Sequence, residues 1–184
     1  GGAGASYWIK NLDYPVGLIM LGEPSSNELS LGHRGMLALW VTFQGRSVHA
    51  SVPHKGSNPN FALSAFLERL RSAELSTHEL LGPTTVAPTI IEVDTKSQNV
   101  TPAWTRVLLD FRTSSESPSS LKRLIDRLSD DAPHTVTSAY AGQAVMEDET
   151  LLDGFYTAPD SPVVQRTQAL LADCLLYTSD AADE

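Results

Sequence analysis

The chain has a single cysteine, Cys174, among its 184 residues. One thiol closes no internal disulfide and builds no zinc knuckle, so both common staples of a small core are excluded. Long apolar runs are missing too. The best, residues 16–21 (VGLIML), has strand length and falls far short of the roughly 20 residues a membrane-spanning helix needs. The opening residues, GGAGASYWIKNL, carry no basic segment leading into an apolar one; the expectation is a cytoplasmic protein without a secretory leader. Positive charge is scarce, with 13 Lys and Arg against 22 Asp and Glu and a net charge of −9. Such a chain lacks the positive face that phosphates require, which argues against nucleic acid as a partner. What is present is ordinary for a globular protein: 41% hydrophobic and 19% charged residues, which excludes disordered, collagen-like and coiled-coil chains. The length suits one average domain or two small ones.

Polarity patterning gives an order of elements. Residues 16–21 read as a short buried strand closed by Gly22, with the continuous apolar character of a parallel strand covered on both faces. Residues 36–43 (MLALWVTF) read as a second strand. Residues 61–73 read as an amphipathic helix with Phe61, Ala65, Leu67 and Leu70 on one face and Arg69 and Arg71 in water. Pro88 makes residues 84–94 an edge or bulged strand. Residues 103–112 alternate as a strand, residues 118–128 repeat Leu121, Leu124, Ile125 and Leu128 at helical spacing, and residues 134–140 form a last strand. The order strand, helix, strand, strand, helix, strand is the split βαβ, or ferredoxin-like, sandwich. The pieces on either side are too short to bury a core alone. The sequence therefore predicts an insert at residues 35–147 within an interrupted domain represented by residues 1–34 and 148–173, with a further helix near residues 162–172. Residues 174–184 (CLLYTSDAADE) resemble a sequencing-library adaptor translated in frame, and are expected to be an artefact tail.

Five residue settings could carry chemistry. Glu23 follows the first strand directly, at the carboxyl end where ligands sit in open α/β sheets; it reads as a metal ligand or acid–base group, or as a solvated loop carboxylate. His49, in GRSVHAS, opens a loop beyond a strand end. Its imidazole can donate to an oxyanion at neutral pH, or simply bond its own backbone. His54 makes a His-x4-His pair with it, but no acidic or sulfur partner flanks them. His33, His78 and His134 have no local partners and read as surface residues. Asn99 and Arg112 flank one strand. Arg112 reads as a fork for a carboxylate or as half of a surface ion pair with Asp110 or Glu116. Trp104 and Phe111 fall on opposite faces of that strand, which does not suit the stacking platform of an RNA-binding sandwich.

Taken together, GEPSS, LGHRG, GRSVHAS followed by GSNP, then NVTP and DFRTS, in this order, resemble the metal-dependent exopeptidases and deacylases. That family includes acetylornithine deacetylase, succinyl-diaminopimelate desuccinylase, glutamate carboxypeptidase and aminoacylase, and the resemblance covers residues 1–173. It implies a zinc-binding α/β domain interrupted by a ferredoxin-like lid through which two copies pair as a homodimer. Glu23 matches the family's Glu-Pro carboxylate, a terminal ligand of one of two metal ions. His49 matches the lid His that reaches into the neighbouring subunit's active site and stabilises the oxyanion. Asn99 matches the Asn of an Asn-Val-Ile-Pro motif, with Thr101 in place of Ile, and Arg112 matches the Arg of Asp-x-Arg, with Asp110 in place. Both are implied to hold the substrate's carboxylate end. The implied reaction is hydrolysis of an amide bond in an N-acyl amino acid or peptide. Two divalent ions, zinc foremost and cobalt or manganese as alternatives, acidify a water. The general base and the remaining metal ligands are expected outside this chain, which by itself is expected to be inactive. The rival reading is a non-catalytic ferredoxin-like dimerisation or regulatory module.

Overall fold

The computed structural model describes residues 3–17, 19, 29–139 and 154–174. Along the chain these form α1 (Ala3–Lys10), β1 (Gly32–His33), β2 (Gly35–Gln44), α2 (Pro59–Arg71), β3 (Thr77–His78), β4 (Gly82–Pro83), β5 (Thr85–Val93), β6 (Trp104–Thr113), α3 (Pro118–Ser129), β7 (His134–Ser138), β8 (Phe155–Tyr156) and α4 (Pro162–Cys174). The central sheet runs β5-β6-β2-β7, and each neighbouring pair is antiparallel. With α2 linking β2 to β5 and α3 linking β6 to β7, this is the ferredoxin-like sandwich expected from the element order.

Period-two alternation decides which face of the sheet is covered. Leu37, Leu39, Val41 and Phe43 of β2 and Val107, Leu109 and Phe111 of β6 are fully buried. They meet Leu63, Phe66 and Leu70 of α2 and Leu121, Leu124, Ile125 and Leu128 of α3 in one cluster. The rings of Phe43 and Phe66 lie 5.3 Å apart at its centre. Both helices start on the same device. The Asn58 and Ser117 side chains accept the backbone N–H groups of Asn60 and Ser120, and Pro59 or Pro118 supplies the first helical residue, where a missing N–H is harmless.

The inner face of α2 differs from the expected one. Pro59, Leu63, Phe66 and Leu70 are buried, whereas Phe61 is 76% exposed. Phe61 lies five residues before Phe66, roughly 140° around the helix, so the two cannot share a face. Nor does Arg69 simply face water. Its Nη1 donates to the Leu128 carbonyl at 2.9 Å and its Nη2 to Asp130 at 2.6 Å, tying the end of α3 to α2.

The strand expected at residues 16–21 is not formed at Val16, Gly17 or Ile19, and Leu18, Met20 and Leu21 lie outside the described residues. A buried parallel strand requires partner strands, and none pairs with this segment among the described residues. Two short ladders went unforeseen: β1 with β8, and β3 with β4. Pro88 does mark an edge. The β5–β6 register slips between Pro88 and Ile90, and β5 forms the outer strand of the sheet. Ile90, Ile91 and Val93 are 46%, 56% and 42% exposed along it. Beside this edge runs a largely apolar groove lined by Leu67, Leu70, Ala73, Leu75, Val86 and Pro88, with Arg71 and Thr85 also on its wall.

Candidate functional site

Beyond β2 the chain turns back on itself through Arg46 and Ser57, whose N–H and carbonyl groups bond reciprocally at 2.8 and 3.0 Å. Gly45 and Gly56 permit this closeness: a Cβ at Gly45 would lie 2.3 Å from the Ser57 carbonyl oxygen, and one at Gly56 2.6 Å from that of Arg46. The segment leading to His49 then docks on the segment leading into β6. His49 bridges Val100, Ala50 N–H donates to the Asn99 carbonyl at 2.8 Å, and Thr101 N–H donates to the Val48 carbonyl at 2.9 Å. The Thr101 hydroxyl completes the clasp, accepting from Val48 N–H at 2.9 Å and donating to the Val48 carbonyl at 3.2 Å.

This docking brings two of the expected site residues together across fifty positions of sequence. His49 Nε2 and Asn99 Nδ2 stand 3.5 Å apart, and both side chains are exposed at the surface. Each is oriented from behind. The Ser97 hydroxyl donates to Asn99 Oδ1 at 2.6 Å, which leaves the amide NH₂ turned toward the imidazole. At the other ring nitrogen, Ser51 Oγ lies 2.8 Å from His49 Nδ1 and Ser51 N–H donates to it at 3.2 Å. In the tautomer that carries its proton on Nε2, the imidazole and the Asn99 amide are two neighbouring donors that can share one oxygen acceptor, the arrangement that steadies a developing oxyanion.

Arg112 is elsewhere. In the β2–β6 ladder, Trp104 pairs with Gln44 and Arg112 with Met36, so Arg112 lies eight residues along β6, about 27 Å away at the usual strand rise. Within one chain, then, Asn99 lies beside His49 and apart from Arg112. The Arg112 guanidinium grips Asp110, Nε to Oδ1 at 2.9 Å and Nη2 to Oδ2 at 3.3 Å. Its side chain remains 47% exposed, leaving donors on its outer side. Thr85, directly across the β5–β6 ladder from Arg112, accepts from Arg34 Nη1 at 3.3 Å, and the same nitrogen reaches the Pro83 carbonyl at 2.9 Å. Arg34 thus braces the entry of β2 against the start of β5.

Glu23 lies outside the described residues. Among the described residues no three His, Cys, Asp or Glu side chains converge into a metal cage, so no step through a metal is derived from this part of the chain. His54 is exposed in a single 3₁₀ turn, Pro53–Lys55.

Glu116, the other partner considered for Arg112, is engaged differently. Burial alone would raise its pKa. Hydrogen bonds from Ser76, from Thr84 and from the backbone N–H groups of Glu116 and Ser115 outweigh burial and hold it below the ordinary glutamate value. Asp126 is likewise held below the usual aspartate value. Its modest burial opposes this, but Lys122 and His134 prevail. His134 is thus no free surface residue; its side chain is 15% exposed and also bonds the Ala132 carbonyl at 2.8 Å. Sequence reading missed Ser51, Ser97, Thr101 and Arg34. For the first three the signal was present: hydroxyl residues two positions from His49 or Asn99.

The chain is thus a ferredoxin-like sandwich with β5 at one edge of its sheet and a His–Asn pair near one end of it. Residues 31–136 match the family described as peptidase dimerisation domain, M20_dimer, and the chain belongs to that family. Among curated relatives, it is 33% identical over 90 residues to succinyl-diaminopimelate desuccinylase of Roseobacter denitrificans, covering 46% of this chain and 24% of the relative. It is 28% identical over 127 residues to the protein of the same name from Cereibacter sphaeroides, covering 65% and 33%. The chain thus spans a quarter to a third of the length of these relatives. Among solved structures, an amidase of the hydantoinase/carbamoylase family from Burkholderia phymatum superposes with a TM-score of 0.56 at 18% identity, over 79% of this chain and 35% of that one. A tripeptidase from Staphylococcus aureus gives 0.54 at 15% identity, over 78% and 36%. Among the described residues, no helix is long and apolar enough to cross a membrane.

Proposed function

We propose that this chain forms the lid and adjoining segments of a cytoplasmic, dinuclear metal-dependent hydrolase that cleaves an amide bond in an N-acyl amino acid or peptide. The observation that carries the reading is the convergence of His49 and Asn99 at 3.5 Å, on an exposed loop end far from Arg112. In this reading, Glu23 would be the metal ligand contributed by this chain, and the divalent ions it would help to hold, zinc foremost, would supply an acidified water. His49 Nε2–H and the Asn99 amide donate to the tetrahedral oxygen as negative charge develops on it. The outer donors of Arg112 hold the substrate carboxylate.

Because the two groups of residues lie at opposite ends of one sheet, a single chain does not close both around one small substrate. A symmetric pair does, with His49 and Asn99 from one copy and Arg112 from the other. The free edge of β5, with Ile90, Ile91 and Val93 exposed, is the surface we assign to this homodimer. Edge strands of two copies can pair antiparallel, and the neighbouring apolar groove can be covered at the same time.

The test is intersubunit complementation in the full-length protein. Each of His49→Ala and Arg112→Ala alone lowers amide hydrolysis, His49→Ala by roughly 10²–10³ in kcat, the scale of one lost oxyanion donor. Coexpressed in equal amounts, the two variants form mixed dimers in which one of two sites is intact, restoring about a quarter of wild-type activity. No recovery in demonstrably mixed dimers would refute the shared site. The second reading, a dimerisation module without catalysis, rests on the same β5 edge; it is favoured if the full-length dimer hydrolyses no N-acyl amino acid or peptide with added zinc, cobalt or manganese.

A further inference from the structure

We infer that Ser51 is a positioning residue that keeps the neutral His49 imidazole in the tautomer with its proton on Nε2, the nitrogen that faces Asn99. The inference rests on the oxyanion role proposed for His49, and it concerns the polarity of that group. An imidazole without a second-site constraint exchanges its proton between two nitrogens, and only one of the two tautomers can donate from Nε2.

Two assignments compete at this site. In the first, Nδ1 is bare and accepts; in the second, Nδ1 carries the proton and Nε2 accepts. The Ser51 backbone N–H favours the first, because a backbone amide can only donate, and it reaches Nδ1 at 3.2 Å. The second assignment places a proton on Nδ1 against that N–H. It also asks Nε2 to be satisfied by the Asn99 amide across 3.5 Å, a contact too long to compensate. In the first assignment the Ser51 hydroxyl, 2.8 Å from Nδ1, rotates its proton toward the same lone pair and adds the shorter of the two bonds. Ser51 thus contributes two donors to one nitrogen and drives the ring proton to the other. The Asn99 amide is set in the same sense by the Ser97 hydroxyl at 2.6 Å. Nε2–H and the Asn99 NH₂ then stand as neighbouring donors 3.5 Å apart, placed to share an oxygen acceptor.

The experiment reads the tautomer directly in this chain. Long-range proton–nitrogen correlation spectra, recorded about two pH units above the ordinary imidazole value, separate protonated from bare ring nitrogens. The expected wild-type result is one dominant species with the proton on Nε2. Ser51→Ala removes the 2.8 Å donor and leaves the weaker backbone donor, so a mixture of tautomers is expected. Ser51→Thr restores a hydroxyl and should return the single species. Backbone amide spectra that superpose away from residues 48–52 establish that the fold is intact. A wild-type ring protonated on Nδ1, or a Ser51→Ala ring as pure as wild type, overturns the assignment. In the full-length protein, Ser51→Ala should lower kcat about tenfold with KM held, as expected for a group acting only on the transition state. If the tautomer shifts and kcat does not, the oxyanion role of His49 fails and the assignment of Ser51 stands.

Discussion

The clasp between Val48 and Thr101 holds His49 in register with Asn99, and its hydroxyl can be removed without changing side-chain shape. Thr101→Val keeps the branched outline. The Val48 carbonyl keeps its bond from Thr101 N–H at 2.9 Å, so the loss falls on Val48 N–H, whose acceptor is the Thr101 hydroxyl at 2.9 Å. A buried donor stripped of its partner costs about 1–3 kcal/mol. Val48 is half-buried and water reaches it in part, which places the expected cost near the lower end, about 1–2 kcal/mol. For a sandwich of roughly 100 residues, each kcal/mol lowers the melting temperature by about 4–8 °C, so a drop of about 4–16 °C follows. Thermal unfolding by circular dichroism measures it, with Thr101→Ser as the control that keeps the hydroxyl. The His49 ring resonances should shift in the Val variant and stay in place in the Ser variant. If Thr101→Val melts within a degree of wild type, or if the Ser variant falls as far as the Val variant, the hydroxyl clasp is not what holds the two segments.

Three further outcomes are expected. Because the folded-state pKa of Glu116 lies below its ordinary value of 4.5, its contribution to stability is fully present above that value. It is lost as pH falls through the folded-state pKa; urea titrations across acidic pH should show a decline there that is shallower in Glu116→Gln, and an identical slope in the two proteins would discount the Ser76–Thr84 cradle. Phe66→Ala, which empties the site facing Phe43, should cost about 3–5 kcal/mol of unfolding free energy, and a loss below about 1 kcal/mol would mean that α2 does not pack as described. Ile91→Lys on the β5 edge should convert the proposed dimer to monomer in sedimentation velocity while leaving the monomer's melting curve unchanged; a dimer as tight as wild type would move the interface elsewhere.

The sandwich could be read from the sequence because β6 alternates along its length, β2 is apolar enough to read as a strand, and its helices repeat apolar residues at helical spacing. Those periods are set by local geometry and survive in any setting. The error in α2 has the same origin. Phe61 is apolar, but its angular position relative to Leu70 excludes it from the face the sheet covers, and hydrophobicity outweighed angle in the reading. The β1–β8 and β3–β4 ladders are two residues long, too short to carry a period; the first joins distant segments, and the second closes a local turn. The candidate site was legible residue by residue, since His49, Asn99 and Arg112 each sit in a recognisable setting. Its geometry was not. Asn99 and Arg112 are 13 positions apart along the chain, and a fully extended strand between them sends them to opposite ends of the sheet. His49 is fifty positions from Asn99 and yet touches it. Ser51 and Ser97 escaped notice because exposed serines in loops carry no signal until their partners are in place.

The pairing of β1 with β8 has a consequence for how such a chain can be rearranged. Gly32 faces Tyr156 and His33 faces Phe155, and Thr157 N–H continues the ladder to the Leu31 carbonyl at 2.7 Å. The contact is close enough that a Cβ on Gly32 would fall 2.1 Å from the Phe155 carbonyl oxygen. The chain therefore enters and leaves the sandwich through points about one strand spacing, roughly 4.8 Å, apart. A tight turn of two or three residues could join Leu31 to Thr157 in place of everything between them, at a small cost in chain entropy. The sandwich is in this sense a cassette: its ends meet, and a surrounding scaffold could accept it, lose it or exchange it for another fold at a single junction.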